Sequence, residues 1–202
     1  MYIARVLYPV KVLGPGDRIG IWFAGCYHQC PGCSNPELWE QSPRYQTDLA
    51  SVMKLIRLIT DRYEVDGFTI TGGDPFFQPD ALRELLIALK DINPDILVYT
   101  GFTFDEIKDA YGNILQNISV LIDGKYVEAE NRGSLLRGSD NQRILILDEA
   151  KRSLYDRYLM TQTSRIQNFS TKDGIISVGI HRPEYEKQLM EISKEKGLEV
   201  IS

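Results

Sequence analysis

Ile19-Gly20-Ile21-Trp22-Phe23-Ala24-Gly25-Cys26-Tyr27-His28-Gln29-Cys30-Pro31-Gly32-Cys33 joins a strand-forming apolar run to a loop that holds every cysteine of the chain. Those cysteines, Cys26, Cys30 and Cys33, are spaced C-x3-C-x2-C. Thiolates this close repel one another unless a metal neutralises them, and soft sulfur ligands favour zinc or iron–sulfur clusters. Cysteines at three corners of a [4Fe–4S] cube leave the fourth iron open, and an open position is what separates a reactive metal site from a closed structural one. The competing reading is structural zinc with His28 as fourth ligand, although zinc sites usually take a second ligand pair from a distant segment. A disulfide would leave one cysteine over and suits a small secreted domain.

Of 202 residues, 43% are hydrophobic and 25% charged, as in a soluble globular domain with room for a small appendage. No apolar run approaches the ~18 residues of a membrane span, so no membrane partner is expected. Met1-Tyr2-Ile3-Ala4-Arg5-Val6 lacks the basic region, apolar core and cleavage site of a signal peptide. A cytoplasmic protein is expected, where thiols stay reduced and available to metals. The net charge of −5, with Lys and Arg scattered, opposes a nucleic-acid partner.

Working outward from the cysteine loop, residues 2–13 read as a short strand or hairpin arm and Gly14-Pro15-Gly16-Asp17-Arg18 as a tight loop. Its glycines precede the strand at 19–24 instead of following it, so a dinucleotide fingerprint fails on context. Downstream, Thr47 is placed to cap a helix over 48–63, with Leu49, Val52, Met53, Ile56 and Ile59 at helical spacing. A strand at 67–71 ends in Gly72-Gly73-Asp74-Pro75, and a helix over 79–92 turns Leu82, Leu85, Leu86 and Leu89 inward. Strands follow at 96–100, 118–122 and 143–147, with a short helix at 104–111.

This alternation predicts an α/β fold of βα units with right-handed crossovers, a partial, open βα barrel of about five to six parallel strands. That is too few for a closed eight-stranded barrel. Ligands of such sheets sit outside the carboxyl ends of the strands. The cysteine loop, the Gly-Gly-Asp-Pro turn, Tyr99-Thr100-Gly101 and Asp123-Gly124 all fall at such ends.

Each of these segments also has a plain reading. Gly-Gly and Asp-Pro are common turn formers; otherwise the glycines admit close backbone approach to a ligand and Asp74 offers acceptor oxygens to an ammonium group. Tyr99 and Thr100 are good strand formers, and Asp123-Gly124 is a turn signal. Arg137-Gly138-Ser139-Asp140-Asn141-Gln142-Arg143 is either a pocket-shaping or a solvated loop. Beyond residue 147 the chain reads as a helix over 148–160 capped by Asp148, strands at 166–170 and 175–180 about Lys172-Asp173-Gly174, a helix over 184–196 ended by Gly197, and a strand at 198–201.

With these motifs in this order, the chain resembles the radical S-adenosylmethionine (SAM) superfamily and, more closely, the activating enzymes of anaerobic ribonucleoside-triphosphate reductases. The resemblance rests on the 14–18 loop, Gly25 through Cys33, Asn35, Trp39, Thr71 through Pro75, Tyr99 through Gly101, Val120 through Gly124, and Arg137 through Arg143. It implies a [4Fe–4S] cluster on Cys26, Cys30 and Cys33 and SAM chelating the fourth iron. Gly32 and Ser34 would touch SAM beside the cluster, Gly72, Gly73 and Asp74 would take its amino group, and Thr100 and Asp123 are carried over as further cofactor-binding positions. The usual aromatic before the last cysteine is Gly32 here, a departure that the reductase activases share. The resemblance further implies reductive SAM cleavage, a glycyl radical left on a partner glycyl-radical enzyme (an anaerobic ribonucleotide reductase), and a flavodoxin- or ferredoxin-type reductant. With no cysteine outside the loop, this is a single-cluster design. The resemblance runs over residues 1–147, which it implies are the core, and leaves 148–202 as a small C-terminal α/β extension that the short activases largely lack and that either completes the open side of the barrel or docks a different partner.

Overall fold

A computed structural model describes residues 1–171, 174–182 and 184–195. At its centre is one six-stranded sheet in the order β1-β2-β3-β4-β5-β6. The strands are β1 (Ile3–Val10), β2 (Arg18–Phe23), β3 (Gly67–Gly72), β4 (Ile96–Tyr99), β5 (Val120–Asp123) and β6 (Arg143–Ile146). From β2 to β5 the strands run parallel. Their crossovers carry α1 (Leu49–Thr60), α2 (Pro79–Lys90), and the single turns α3 (Phe104–Ile107) and α4 (Gly112–Leu115).

The expected count of about five to six parallel strands is corrected here, since four of the six run parallel. β1 and β6 run antiparallel to their neighbours, and the sheet is open with these two strands at its edges. Connection length explains the direction. A parallel crossover takes about a dozen residues or more and usually a helix. Residues 11–17 are too few, and residues 124–142 hold only a short 3-10 turn at Glu128–Glu130.

Alternate strand residues divide between two cores. Ile19, Ile21, Phe23, Phe68, Ile70, Ile96, Val98 and Leu121 pack with Val52 and Ile56 of α1 and with Leu82, Leu85, Leu86 and Leu89 of α2. Each of those four leucines is fully buried, a gain of roughly 1.5–3 kcal/mol apiece. Trp22, Leu97, Val120 and Ile122 belong to the second core. There Leu97, Val120 and Ile122 meet Tyr155 and Tyr158 of α5 (Arg152–Thr161), and Trp22 meets Val178 of β8 (Gly174–Gly179), which pairs antiparallel with β7 (Ile166–Thr171). Burial on both faces is why the central strands read as apolar runs.

Local differences from the sequence reading have local causes. Asp48, not Thr47, caps α1, its carboxylate accepting from Ser51 N–H at 2.7 Å, while Thr47 N–H is taken by the Met1 carbonyl. The single helix expected at 104–111 is broken into α3 and α4, α3 being fixed by a Thr103–Glu106 capping box. Asp148 caps a 3-10 turn, Glu149–Lys151, that leads into α5. The last helix is α6 (Tyr185–Glu195). The hairpin turn at Lys172 and Asp173 and the strand expected at 198–201 lie outside the described residues.

The 14–18 loop braces the end of the sheet opposite the cysteines. Arg18 is fully buried, 3.2 Å from Asp95, and donates to Thr69 Oγ1 at 2.8 Å. Tyr155 reaches the same carboxylate with a 2.7 Å hydrogen bond and so ties α5 to the core. No helix among the described residues is long and apolar enough to cross a membrane.

Candidate functional site

The carboxyl ends of β2, β3, β4 and β5 surround a cavity of about 180 Å³, lined at one side by Cys26, Cys30 and Cys33. The cysteine loop leaves β2 through Gly25, whose φ of +104° is left-handed and whose missing side chain makes room for the Phe77 ring. Two backbone hydrogen bonds pin it, Gly25 N–H to the Leu38 carbonyl at 2.8 Å and Cys26 N–H to the Trp39 carbonyl at 2.9 Å. Within the loop, Asn35 N–H donates to Cys33 Sγ at 3.4 Å.

All three thiols are half-buried. Burial pushes the Cys26 and Cys30 thiols up from their ordinary range, so a nearby cation is what would hold them as thiolates. Among the described residues, no three His, Cys, Asp or Glu side chains gather tightly enough to hold a single metal ion. A cluster asks for a different arrangement, one thiolate on each of three irons, and three soft donors lining one cavity fit that demand.

Asp74 is the hub of the opposite wall. It is 1% exposed, and its carboxylate accepts from Phe76 N–H (2.9 Å), Thr100 Oγ1 (3.0 Å) and Gly101 N–H (2.9 Å). His28 of the cysteine loop brings Nε2 to 3.0 Å from the same carboxylate. That approach is not aligned as a hydrogen bond, so the contact is one of proximity. Asp74 thereby ties the ends of β3 and β4 together, with most of its acceptor capacity already used inside the protein.

The two glycines before it serve the same join. Gly73 N–H donates to the Phe23 carbonyl and Asp74 N–H to the Gly25 carbonyl, each at 2.8 Å. A Cβ on Gly72 would strike the Phe23 backbone, and one on Gly73 the carbonyls of Gly25 and Leu38. The close approach that these glycines permit is between β3 and the cysteine loop.

Of the other positions named from the sequence, Ser34, Gly72, Gly73 and Thr100 line the cavity, and Gly32 and Asp123 do not. Gly32 adopts φ +71° with its Cα against the Glu128 carboxylate. Asp123 is buried, accepting from Phe104 N–H at 2.6 Å and pairing with Arg143. The 137–143 loop does reach the cavity, through Gly138 and Gln142. Gln142 is fixed by accepting from Gly138 N–H and donating to the Gly124 carbonyl, both at 2.8 Å. The sequence reading missed Tyr126 and the segment 177–181 as cavity residues. Tyr126 carried a faint signal, following the Asp-Gly turn at the end of β5; the segment 177–181 carried none.

Comparison with known proteins bears on this site. Residues 12–145 match a family described as a 4Fe-4S single cluster domain. The chain is 35% identical over 143 residues to the anaerobic ribonucleoside-triphosphate reductase-activating protein of Escherichia coli (strain K12), covering 67% of this chain and 92% of that protein. The protein of the same name from Enterobacteria phage T4 is also 35% identical, over 68% of this chain and 90% of its own length. That of Vibrio cholerae serotype O1 is 35% identical over 68% and 93%.

Proposed function

Since the chain belongs to the family of radical SAM activating proteins of anaerobic ribonucleoside-triphosphate reductases, we propose that it cleaves SAM reductively and installs a glycyl radical on such a reductase. The observation that carries this reading is the convergence on one cavity of the three C-x3-C-x2-C thiols and the Gly-Gly-Asp-Pro turn. When bound, a reduced [4Fe–4S] cluster supplies the electron that splits SAM into methionine and a 5′-deoxyadenosyl radical, which takes hydrogen from a backbone glycine of the partner.

The chain's own residues hold and shield that chemistry. Cys26, Cys30 and Cys33 are the cluster ligands in this reading, with Ser34 and Gly32 beside them. Gly72, Gly73 and Thr100 border the charged end of SAM, and Asp74 acts chiefly by fixing the strand ends on which they sit. Trp39 Nε1 and Tyr99 OH support a polar ligand: both residues line the cavity, and both atoms are buried with no hydrogen-bond partner among the described residues. Asp123 contributes indirectly, through its pair with Arg143. A flavodoxin- or ferredoxin-type donor completes the system, in a reducing cytoplasm.

The test is electron paramagnetic resonance of a candidate anaerobic reductase incubated with the reconstituted protein, SAM and reductant. A glycyl-radical signal that requires all components is expected. SAM cleavage with no signal on any candidate reductase would favour a second reading, a radical SAM enzyme acting on another protein, peptide or small molecule. That alternative draws on one observation: the family match ends at residue 145 of a 202-residue chain.

A further inference from the structure

Beyond the end of the family match, five consecutive residues, 177–181, border the same cavity as the three cysteines. The hairpin that carries them is anchored on both sides of the open sheet. At the β1 side, Gln167 accepts from Lys11 N–H at 2.8 Å and donates to the Pro9 carbonyl at 2.7 Å. In the connection between β5 and β6, Asn131 Nδ2 donates to the His181 carbonyl at 2.6 Å. Val178, 3% exposed, packs between these anchors in the core that includes Leu13, Trp22 and Leu38. At the cavity end, Ser177 Oγ lies 3.0 Å from both His181 Nε2 and Tyr185 OH, and the His181 and Tyr185 rings stack 4.6 Å apart at 12°.

We infer that this hairpin is a built-in wall of the SAM cavity, with Ser177 and His181 holding the adenosine end of the cofactor. The inference rests on the SAM reading above. In that reading the amino-carboxylate end belongs to the cluster and the Gly72–Asp74 side, which leaves adenine and ribose to the residues contributed by other elements. Ser177 and His181 line the cavity, the His181 ring backed by Tyr185 from outside the lining, and a hydroxyl and an imidazole are the few placed polar groups that a nucleoside pocket uses. The Escherichia coli relative is matched over 92% of its length by 67% of this chain, so it has no comparable length for such a wall.

The experiment uses the full chain with its cluster reconstituted anaerobically. Ser177→Ala/His181→Ala is expected to raise the SAM dissociation constant about tenfold in equilibrium dialysis, with iron and sulfide content unchanged. A His181→Gln variant, which keeps a polar group, is expected to recover part of the affinity. Photolabelling of the wild type with an 8-azidoadenosyl SAM analogue needs no variant to fold, and is expected to mark the peptide spanning 174–182. Wild-type affinity in the double variant, or label confined to residues 1–147, overturns the inference. A wild-type protein that carries its cluster yet binds no SAM sinks the SAM reading itself, an outcome distinct from failure of the variants alone.

Discussion

His28 and Gly101 meet where the cysteine loop touches the end of β4. The ring of His28 stands edge-on to Phe102 at 4.5 Å, and it lies where a Cβ on Gly101 would be. Gly73, by contrast, faces backbone carbonyls of Gly25 and Leu38 that hold the cysteine loop in place. The two glycines therefore predict different outcomes. Gly101→Ala meets a side chain and no backbone, so the expected outcome is that the fold and iron loading persist while iron is lost faster to a chelator. Gly73→Ala meets backbone that cannot yield, so reconstitution fails to load iron at all. Iron content and chelator kinetics of the two variants check this, and equal loading in both would contradict it. At this scale the cysteines were legible in the sequence because their spacing is local. Asp74 was legible as important, whereas its internal partners were not, since Thr100 and Gly101 lie 26 and 27 residues away.

At the scale of elements, periodicity carried most of the reading. α2 presents Leu82, Leu85, Leu86 and Leu89 at helical spacing, and all four are fully buried. Leu86→Ala is expected to cost about 2–5 kcal/mol in a denaturant titration; a loss below that range would mean the site collapses around the gap. The directions of β1 and β6 were not legible from periodicity, which is the same for parallel and antiparallel strands; connection length decided them. α5 gives a pH prediction. Burial, foremost, pushes the Tyr155 hydroxyl well above its ordinary 10.0, and burial also raises Tyr158. Because the folded value exceeds the unfolded one, this contribution to stability is fully present below about pH 10 and is lost as pH rises beyond it. Stability should therefore fall steeply above pH 10, and less steeply in Tyr155→Phe. The same alkaline slope in both proteins would contradict that role.

Over the whole molecule, the chain places α1 and α2 on one face of an open sheet and α5 with the β7–β8 hairpin on the other. The rim was legible because each suspicious motif directly follows a strand, and a parallel sheet gathers such positions at one end. The reach of the hairpin into that rim was not. Its docking bonds join residues such as Gln167 and Pro9, 158 positions apart, and only Val178 in β8 is fully buried. Val178→Asp puts an unpaired charge into that contact and should release the hairpin, seen as faster proteolysis between residues 165 and 182. Cleavage at the wild-type rate would show that the hairpin is held by something else.

The central claim is that one cavity joins a cluster on Cys26, Cys30 and Cys33 to SAM. It is tested most directly by reconstituting the protein anaerobically with iron and sulfide, adding reductant and SAM, and measuring 5′-deoxyadenosine. The account predicts product from the wild type and none from Cys26→Ala, Cys30→Ala or Cys33→Ala. A fully loaded wild type that makes no product, or product that survives loss of these cysteines, would contradict it.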